Sequence, residues 1–255
     1  MLDRITPVIL TYNEAPNIER TLGALGWARR IVVVDSFSDD STVELLRAYP
    51  AVHVFQRKFD QHARQWNHAI GETGIDSEWI LSLDADYVLT PAFVEELRNL
   101  QPPEDIAAYE NGFEYCIFGR PLSGSVYPPV TTLFRRGAAE YEQDGHTQRL
   151  KVRGNVATLS SRIRHDDRKP IGRWLAAQNR YMELEAEKLV SANGSTLPLQ
   201  DKVRKLVVVA PFLVFFYTLL ARRTILDGRA GLFYTLQRTV AEMILSLHLV
   251  RRYLK

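Results

Sequence analysis

Asp84 and Asp86, in the stretch ILSLDADYVL at residues 80–89, sit one residue apart at the end of an apolar run. Two carboxylates that close repel each other, and each loses hydration if it is covered. Either a cation lies between them or they stand on an exposed turn. A hard divalent cation, Mg²⁺ or Mn²⁺, removes the repulsion and completes its shell with water and phosphate oxygens. Three further clusters hold groups suited to the same work. TYNE at 11–14 supplies Tyr12 and Glu14, DSFSDDST at 35–42 supplies Asp35, and QRK at 56–58 with Arg64 supplies cations for phosphate or sugar oxygens. A rim carboxylate such as Asp35 can accept from the N–H of a nucleobase. Together these groups describe a pocket for a nucleoside diphosphate. Each cluster alone also fits a plainer role: Asn13 and Glu14 as a helix cap, Asp35 with Ser36 and Ser38 as a turn, and the Asp84–Asp86 pair as a bend before Pro91. Neither GxxxxGK[ST] nor GxGxxG follows the first strand, which argues against a P-loop nucleotide hydrolase and a dinucleotide dehydrogenase.

The elements that must carry these groups alternate strand and helix over the first hundred residues. Strand-like runs at TPVILTY (6–12), RIVVVD (30–35), VHVFQR (52–57) and EWILSLD (78–84) are separated by helical patterns in EAPNIERTLGAL, SDDSTVELLRAY and HARQWNHAIGET. Pro91 opens a further helix, and Pro16 suits a first helical turn. This spacing predicts βαβ units and a mostly parallel sheet, an α/β fold. All four polar clusters follow strand ends, so they converge on one sheet edge, where open parallel sheets bind ligands. From about residue 105 the runs AAYENGFEYCIFG, VTTLFRRG and NVATLSSRIRH read as shorter strands, and from Pro170 onward the chain is helical, with one helix closing at Gly194. The expected division is a first domain at 1–168, changing character near residue 100, and a helical extension at 169–255.

The bulk properties suit one large domain with an appendage. The 255 residues carry 32 Lys and Arg against 30 Asp and Glu, a net charge of +2, so no global field points to nucleic acid. The single cysteine, Cys116, supplies neither an internal disulfide nor a zinc cluster, which suits a reducing compartment. The N-terminal stretch MLDRITPVILTYNE lacks the pattern of a secretory signal.

Four stretches in order, VILTYNEAPNIERTL, IVVVDSFSDDSTVELL, FDQHARQWNHAI and WILSLDADYVL, make the region from residue 5 to about 100 similar to family 2 of the glycosyltransferases, which have the GT-A fold. Within that family the chain most resembles the lipopolysaccharide-core glucosyltransferase-like group. The resemblance implies inverting transfer from a nucleotide sugar, most often a UDP-sugar, by a catalytic domain at 1–168 with its nucleotide-sugar half at 1–100 and its acceptor half at 101–168. It places Tyr12 and Glu14 at the nucleotide, Asp35 on the base, Arg64 at a basic position of the third helix, Asp84 near ribose and metal, and Asp86 on the metal. It also implies a carboxylate base for the acceptor hydroxyl. In YEQDGHTQRL (141–150) this is Asp144, followed by a glycine that suggests a tight turn, or Glu142. His165 in RHDD is a further candidate for the metal or diphosphate.

LVVVAPFLVFFYTLLA at 206–221 is uncharged, with Arg204-Lys205 before it and Arg222-Arg223 after it. As a straight helix it would reach ~24 Å, short of the ~30 Å hydrocarbon core. The expectation is an interfacial or re-entrant helix on the cytoplasmic side of a bacterial inner membrane, its arginines against anionic head groups. A buried core helix is the soluble alternative. A glycolipid or lipid-linked glycan acceptor, such as lipopolysaccharide core, would make that docking useful. Two other readings stand beside it: transfer to a polyprenyl phosphate carrier, and a non-catalytic membrane-binding module.

Overall fold

A computed structural model describes residues 1–144, 147–191 and 198–254. In chain order the strands and helices begin with β1 (Ile5–Thr11), α1 (Ile18–Gly23), β2 (Ile31–Asp35), α2 (Thr42–Arg47), β3 (Val52–Gln56), α3 (His62–Gly71), β4 (Trp79–Asp84), β5 (Tyr87–Leu89) and α4 (Pro91–Asn99). They continue with β6 (Ile106–Asn111), β7 (Phe113–Ile117), β8 (Arg120–Pro121), β9 (Val130–Arg135), β10 (Ala139–Asp144), β11 (Thr147–Val152), β12 (Asn155–Thr158) and β13 (Ile163–His165). The remaining helices are α5 (Ile171–Ser191), α6 (Leu199–Arg204), α7 (Val209–Phe216) and α8 (Gly228–Tyr253). The expected helix end at Gly194 lies outside the described residues.

The chain divides into two compact units, residues 1–118 with 127–168, and residues 119–126 with 169–255. The segment 119–126, expected in the acceptor half of the catalytic domain, thus groups with the helices. There the Ser123 N–H and hydroxyl donate to the Asp227 carboxylate at 2.9 and 2.6 Å, and the Val126 N–H donates to the Tyr234 hydroxyl at 3.0 Å.

The first unit is built on a seven-stranded sheet in the order β12-β6-β9-β4-β1-β2-β3. β3, β2, β1 and β4 are parallel, and β9 runs antiparallel between β4 and β6, so the whole sheet is mixed. The apolar runs explain why these strands are central. Successive side chains point to opposite faces, and here both faces are covered. Ile9, Val33, Leu81 and Leu83 pack with Ile18, Leu22, Phe93 and Leu97. Val8, Val32, Val34 and Ile80 pack on the other face with Ala63, Trp66 and Ala69 of α3. A strand sealed on both faces is apolar nearly throughout, as IVVVD is until its last residue and WILSLD is apart from Ser82, whose hydroxyl donates to the Thr132 carbonyl at 3.2 Å. α1 is shorter than its pattern predicts, because residues 15–17 form a turn in which the Glu14 carbonyl accepts from the N–H groups of Asn17 and Ile18. Pro16 therefore stands ahead of the helix instead of in its first turn.

The second unit is helical. Between α7 and α8 the chain passes through a π-helical turn (Tyr217–Ala221) and a 3-10 turn (Thr224–Asp227). Arg223 at φ 59° and Gly228 at φ 57° take left-handed backbone there, which bends the path by 71°. Gly231 is required at the bend, since a Cβ on it would stand 1.8 Å from the Thr224 carbonyl oxygen. No single described helix is long and apolar enough to cross a membrane, although the bent pair 209–221 and 224–252 passes that test by length and composition.

Candidate functional site at the strand ends

Register brings the strand ends together. Asp35 at the end of β2 pairs with Thr11 of β1, and Asp84 at the end of β4 pairs with Leu10 of the same strand. The two carboxylates therefore flank the tip of β1, beyond which Tyr12 stands exposed and Glu14 half-buried. The expected convergence of the clusters around β1 on one edge is what the geometry shows.

Asp35 is the last residue of β2. It is 0% exposed. Its Oδ1 accepts from the Thr11 hydroxyl at 2.9 Å and the Ser38 hydroxyl at 2.5 Å, and its Oδ2 accepts from the Ser38 N–H at 2.9 Å. A buried carboxylate needs such donors to offset lost hydration. Asp35 thus fixes the loop at 36–38. The same loop is tied to the tip of β1. The Asn13 N–H donates to the Ser38 hydroxyl at 2.7 Å, and the Asn13 carbonyl oxygen of the side chain accepts from the Asp39 N–H at 2.8 Å. Asn13 and the exposed Phe37 both hold left-handed backbone, at φ 57° and 60°. For a phenylalanine this conformation is strained, and such strain gathers at ligand sites.

Asp84 and Asp86 border a tight turn. The turn is held by the Thr21 hydroxyl, which donates to the Ala85 carbonyl at 2.7 Å, and by the Asp166 N–H, which donates to the Asp86 carbonyl at 3.1 Å. Antiparallel pairing of β5 with β13 sets His165 opposite Tyr87, and His165 Nε2 lies 3.3 Å from Asp86 Oδ2. The imidazole sits among the rings of Tyr115 and Tyr127, both 4.7 Å away, and Tyr87 at 5.2 Å. Burial lowers the His165 pKa, but Asp86, with Asp84 and Asp167 behind it, outweighs burial and raises it overall. His165 Nδ1 is buried with no hydrogen-bond partner among the described residues.

Among the described residues, no three His, Cys, Asp or Glu side chains come together as a metal cage. His165, expected as a metal ligand, here faces Asp86. Two oxygen-donor carboxylates still suit Mg²⁺ or Mn²⁺, which take one or two carboxylates and draw the rest of the shell from water and substrate phosphates. The donor chemistry fits the cation.

The basic candidates are spread out. Arg64 on α3 is exposed, 3.6 Å from Asp60. Arg57 is engaged with Asp60 at 2.9 and 3.1 Å. Lys58 is exposed. The base candidates lie on the β10–β11 hairpin, whose outward face carries Glu140, Glu142 and Asp144 while Tyr141 packs inward on Trp66. Asp144 is 3.2 Å from Arg149, and Glu142 is ion-paired with Lys151 at 2.5 Å. Gly145, expected to form the turn, lies outside the described residues.

A network that local spacing could not show centres on the buried Asn17. Its amide donates to Glu14 Oε2 at 2.9 Å and Asp167 Oδ1 at 3.0 Å, and its Oδ1 accepts from Arg20 at 2.7 Å and the Arg168 N–H at 2.9 Å. Arg20 and Arg168 also clamp the buried Asp166 at 2.8 and 2.7 Å. The loop holding Glu14 is thereby joined to the segment that carries His165. The only sequence signal was the density of charge in RHDDRK.

Residues 6–115 match the family described as Glycosyl transferase family 2. A protein of Rickettsia bellii (strain RML369-C), named an uncharacterized glycosyltransferase, is 28% identical over 155 residues, 54% of this chain and 48% of that protein. The chain is thus matched over about half the length of this curated relative. Among solved structures, S. aureus TarS 1-349 in complex with UDP-GlcNAc superposes with a TM-score of 0.51 at 13% identity, over 98% of this chain and 91% of that one. The same protein in complex with UDP gives 0.50 at 12% identity, over 98% and 90%. The structural likenesses support an α/β, GT-A-like fold with a mixed sheet.

Proposed function

We propose that the protein is a metal-dependent, inverting glycosyltransferase that moves a sugar from a nucleoside-diphosphate donor to a lipid-linked glycan such as lipopolysaccharide core. The observation that carries this reading is the meeting of Asp84, Asp35, Glu14 and Tyr12 around the tip of β1. The family match covers the same strands. The fold neighbour was crystallised with UDP and with UDP-GlcNAc, which supports a UDP-sugar as donor here.

In this reading Tyr12 and Glu14 border the nucleotide, and Asp35 fixes the loop beside it. Asp84 and Asp86 hold Mg²⁺ or Mn²⁺, which supplies positive charge where the leaving diphosphate becomes more negative. His165 orients Asp86, and Arg64 meets phosphate or sugar oxygens. Asp144, with Glu142 as the alternative, takes the proton of the acceptor hydroxyl. The helical unit docks on the cytoplasmic face of the inner membrane.

The ion pairs of Asp144 and Glu142 on the hairpin favour one second reading, transfer to a polyprenyl phosphate, whose acceptor oxygen needs little help from a base. Release of nucleoside diphosphate by the purified chain tests both. Asp86→Ala lowers turnover by at least about 100-fold. Asp144→Asn lowers it by about 100-fold for a hydroxyl acceptor and leaves it unchanged for a phosphate acceptor. Full turnover by Asp86→Ala overturns the assignment.

A further inference from the structure

The helical unit holds a groove of about 680 Å³ between α7 and α8. Val208, Pro211, Phe212 and Phe216 form one wall, and Met243 and Leu247 stand on the other. Its apolar side chains are not tucked into a core: Leu247 is 71% exposed and Phe212 64%. Contiguous exposed apolar surface of this kind marks a binding site. The two hydroxyls in the lining are turned to backbone. Ser246 donates to the Val207 carbonyl at 2.6 Å, and Thr239 donates to the Thr235 carbonyl at 2.9 Å. The groove itself therefore offers no directed polar contact, so the part of a ligand that enters it is recognised by shape and hydrophobicity.

Charge decides what kind of ligand that is. Lys205 lies two residues before Val207 and Arg251 next to Val250, at the end where Ser246 meets Val207, and Arg222 and Arg223 follow the π-helical turn that continues α7. The acids in the same stretch are occupied: Glu242 is 3.1 Å from Arg204, and Asp227 accepts from Ser123. An apolar slot between cationic ends matches an amphiphile with a hydrocarbon chain and an anionic head. The eight residues of α7 span roughly 12 Å, which suits one medium-length chain.

We infer that this groove binds a single acyl chain of an anionic lipid, so that the helical unit grips individual lipid molecules in addition to lying against a surface. The inference rests on the reading that this unit meets a lipid membrane, and it names the site on the protein that does so.

The test uses the full chain and lysophosphatidylglycerol below its micelle concentration, followed by calorimetry. Saturable binding of the myristoyl form with one molecule per chain is expected. The hexanoyl form binds at least about 100-fold more weakly, since each buried methylene adds about 0.8 kcal/mol. Lysophosphatidylcholine of equal chain length binds more weakly than the anionic lipid. Phe212→Asp and Leu247→Asp, both at exposed positions, abolish binding while thermal unfolding and UDP binding stay as in the unmodified protein. Equal affinity for long and short chains overturns the inference, as does lysophosphatidylglycerol binding that both substitutions leave intact. Self-association that the substitutions abolish, without lipid binding, assigns the groove to a second copy and overturns it too. Loss of UDP binding in the unmodified protein would count against the proposed function and leave the lipid result standing.

Discussion

A carboxylate sealed at the tip of a parallel strand is tolerable only when donors replace its water, and Asp35 has three of them from Thr11 and Ser38. The Ser38 hydroxyl does double duty, because it also accepts from the Asn13 N–H. Ser38→Ala removes one donor to a fully buried oxygen and leaves the Asn13 N–H short of its acceptor. The expected cost is about 1–3 kcal/mol in chemical denaturation, with a larger loss of nucleotide affinity than a distant core change of equal cost. That Asp35 mattered was legible in IVVVDSFSDD, since an acid closing an apolar run needs a reason. Its closure by Thr11, 24 residues away, was not, because a strand's neighbours are chosen by the sheet. The same holds for His165. Its type suggested a metal, whereas register set it against Asp86.

At the level of elements, the two-faced apolar strands and the helices between them were readable because local periodicity encodes them. The parallel direction of β3, β2, β1 and β4 followed from the helical crossovers between them, whereas their order did not. The antiparallel insertion of β9 beside β4 did not, because a strand of six residues carries no mark of its partner. The link from α1 to the segment after β13 was equally hidden, spanning about 150 residues through the Asn17 side chain. Asn17 receives and gives four hydrogen bonds in a buried position, so its loss strands several partners at once. Asn17→Ala should destabilise the first unit by about 2–3 kcal/mol. It should also weaken donor binding, because Glu14 and the His165 segment lose their common anchor. Thermal unfolding with and without UDP reads both effects, and an unchanged midpoint would remove Asn17 from the site's support.

For the molecule as a whole, two units carry different physics. The first is a sheet whose core is apolar on both faces. The second buries charge among its helices: Arg204 lies 2.9 Å from Glu185, 3.1 Å from Glu242 and 3.8 Å from Asp201. Burial raises the Glu242 pKa, and Arg204 only partly offsets that rise. Removing the arginine takes a close cation from Glu185, Glu242 and Asp201, a change of about 3–5 kcal/mol for a buried pair. Arg204→Met should therefore unfold the helical unit, and the defect should depend on pH. A carboxyl whose folded pKa is raised contributes stability below its unfolded pKa and loses it as pH rises through the folded value. The variant should thus be closest to the unmodified protein in mildly acidic buffer and fall away toward neutrality, as far-UV circular dichroism at a series of pH values would show.

In the proposed reading Asp84 and Asp86, at the strand ends, hold a cation that grips a donor's diphosphate. Calorimetric titration of UDP into the full chain tests it most directly, with Mg²⁺ or Mn²⁺, with EDTA, and in Asp86→Asn. Saturable binding with metal that weakens at least about tenfold in EDTA and in the variant is the predicted result. Binding of UDP with equal strength in all three conditions would contradict it.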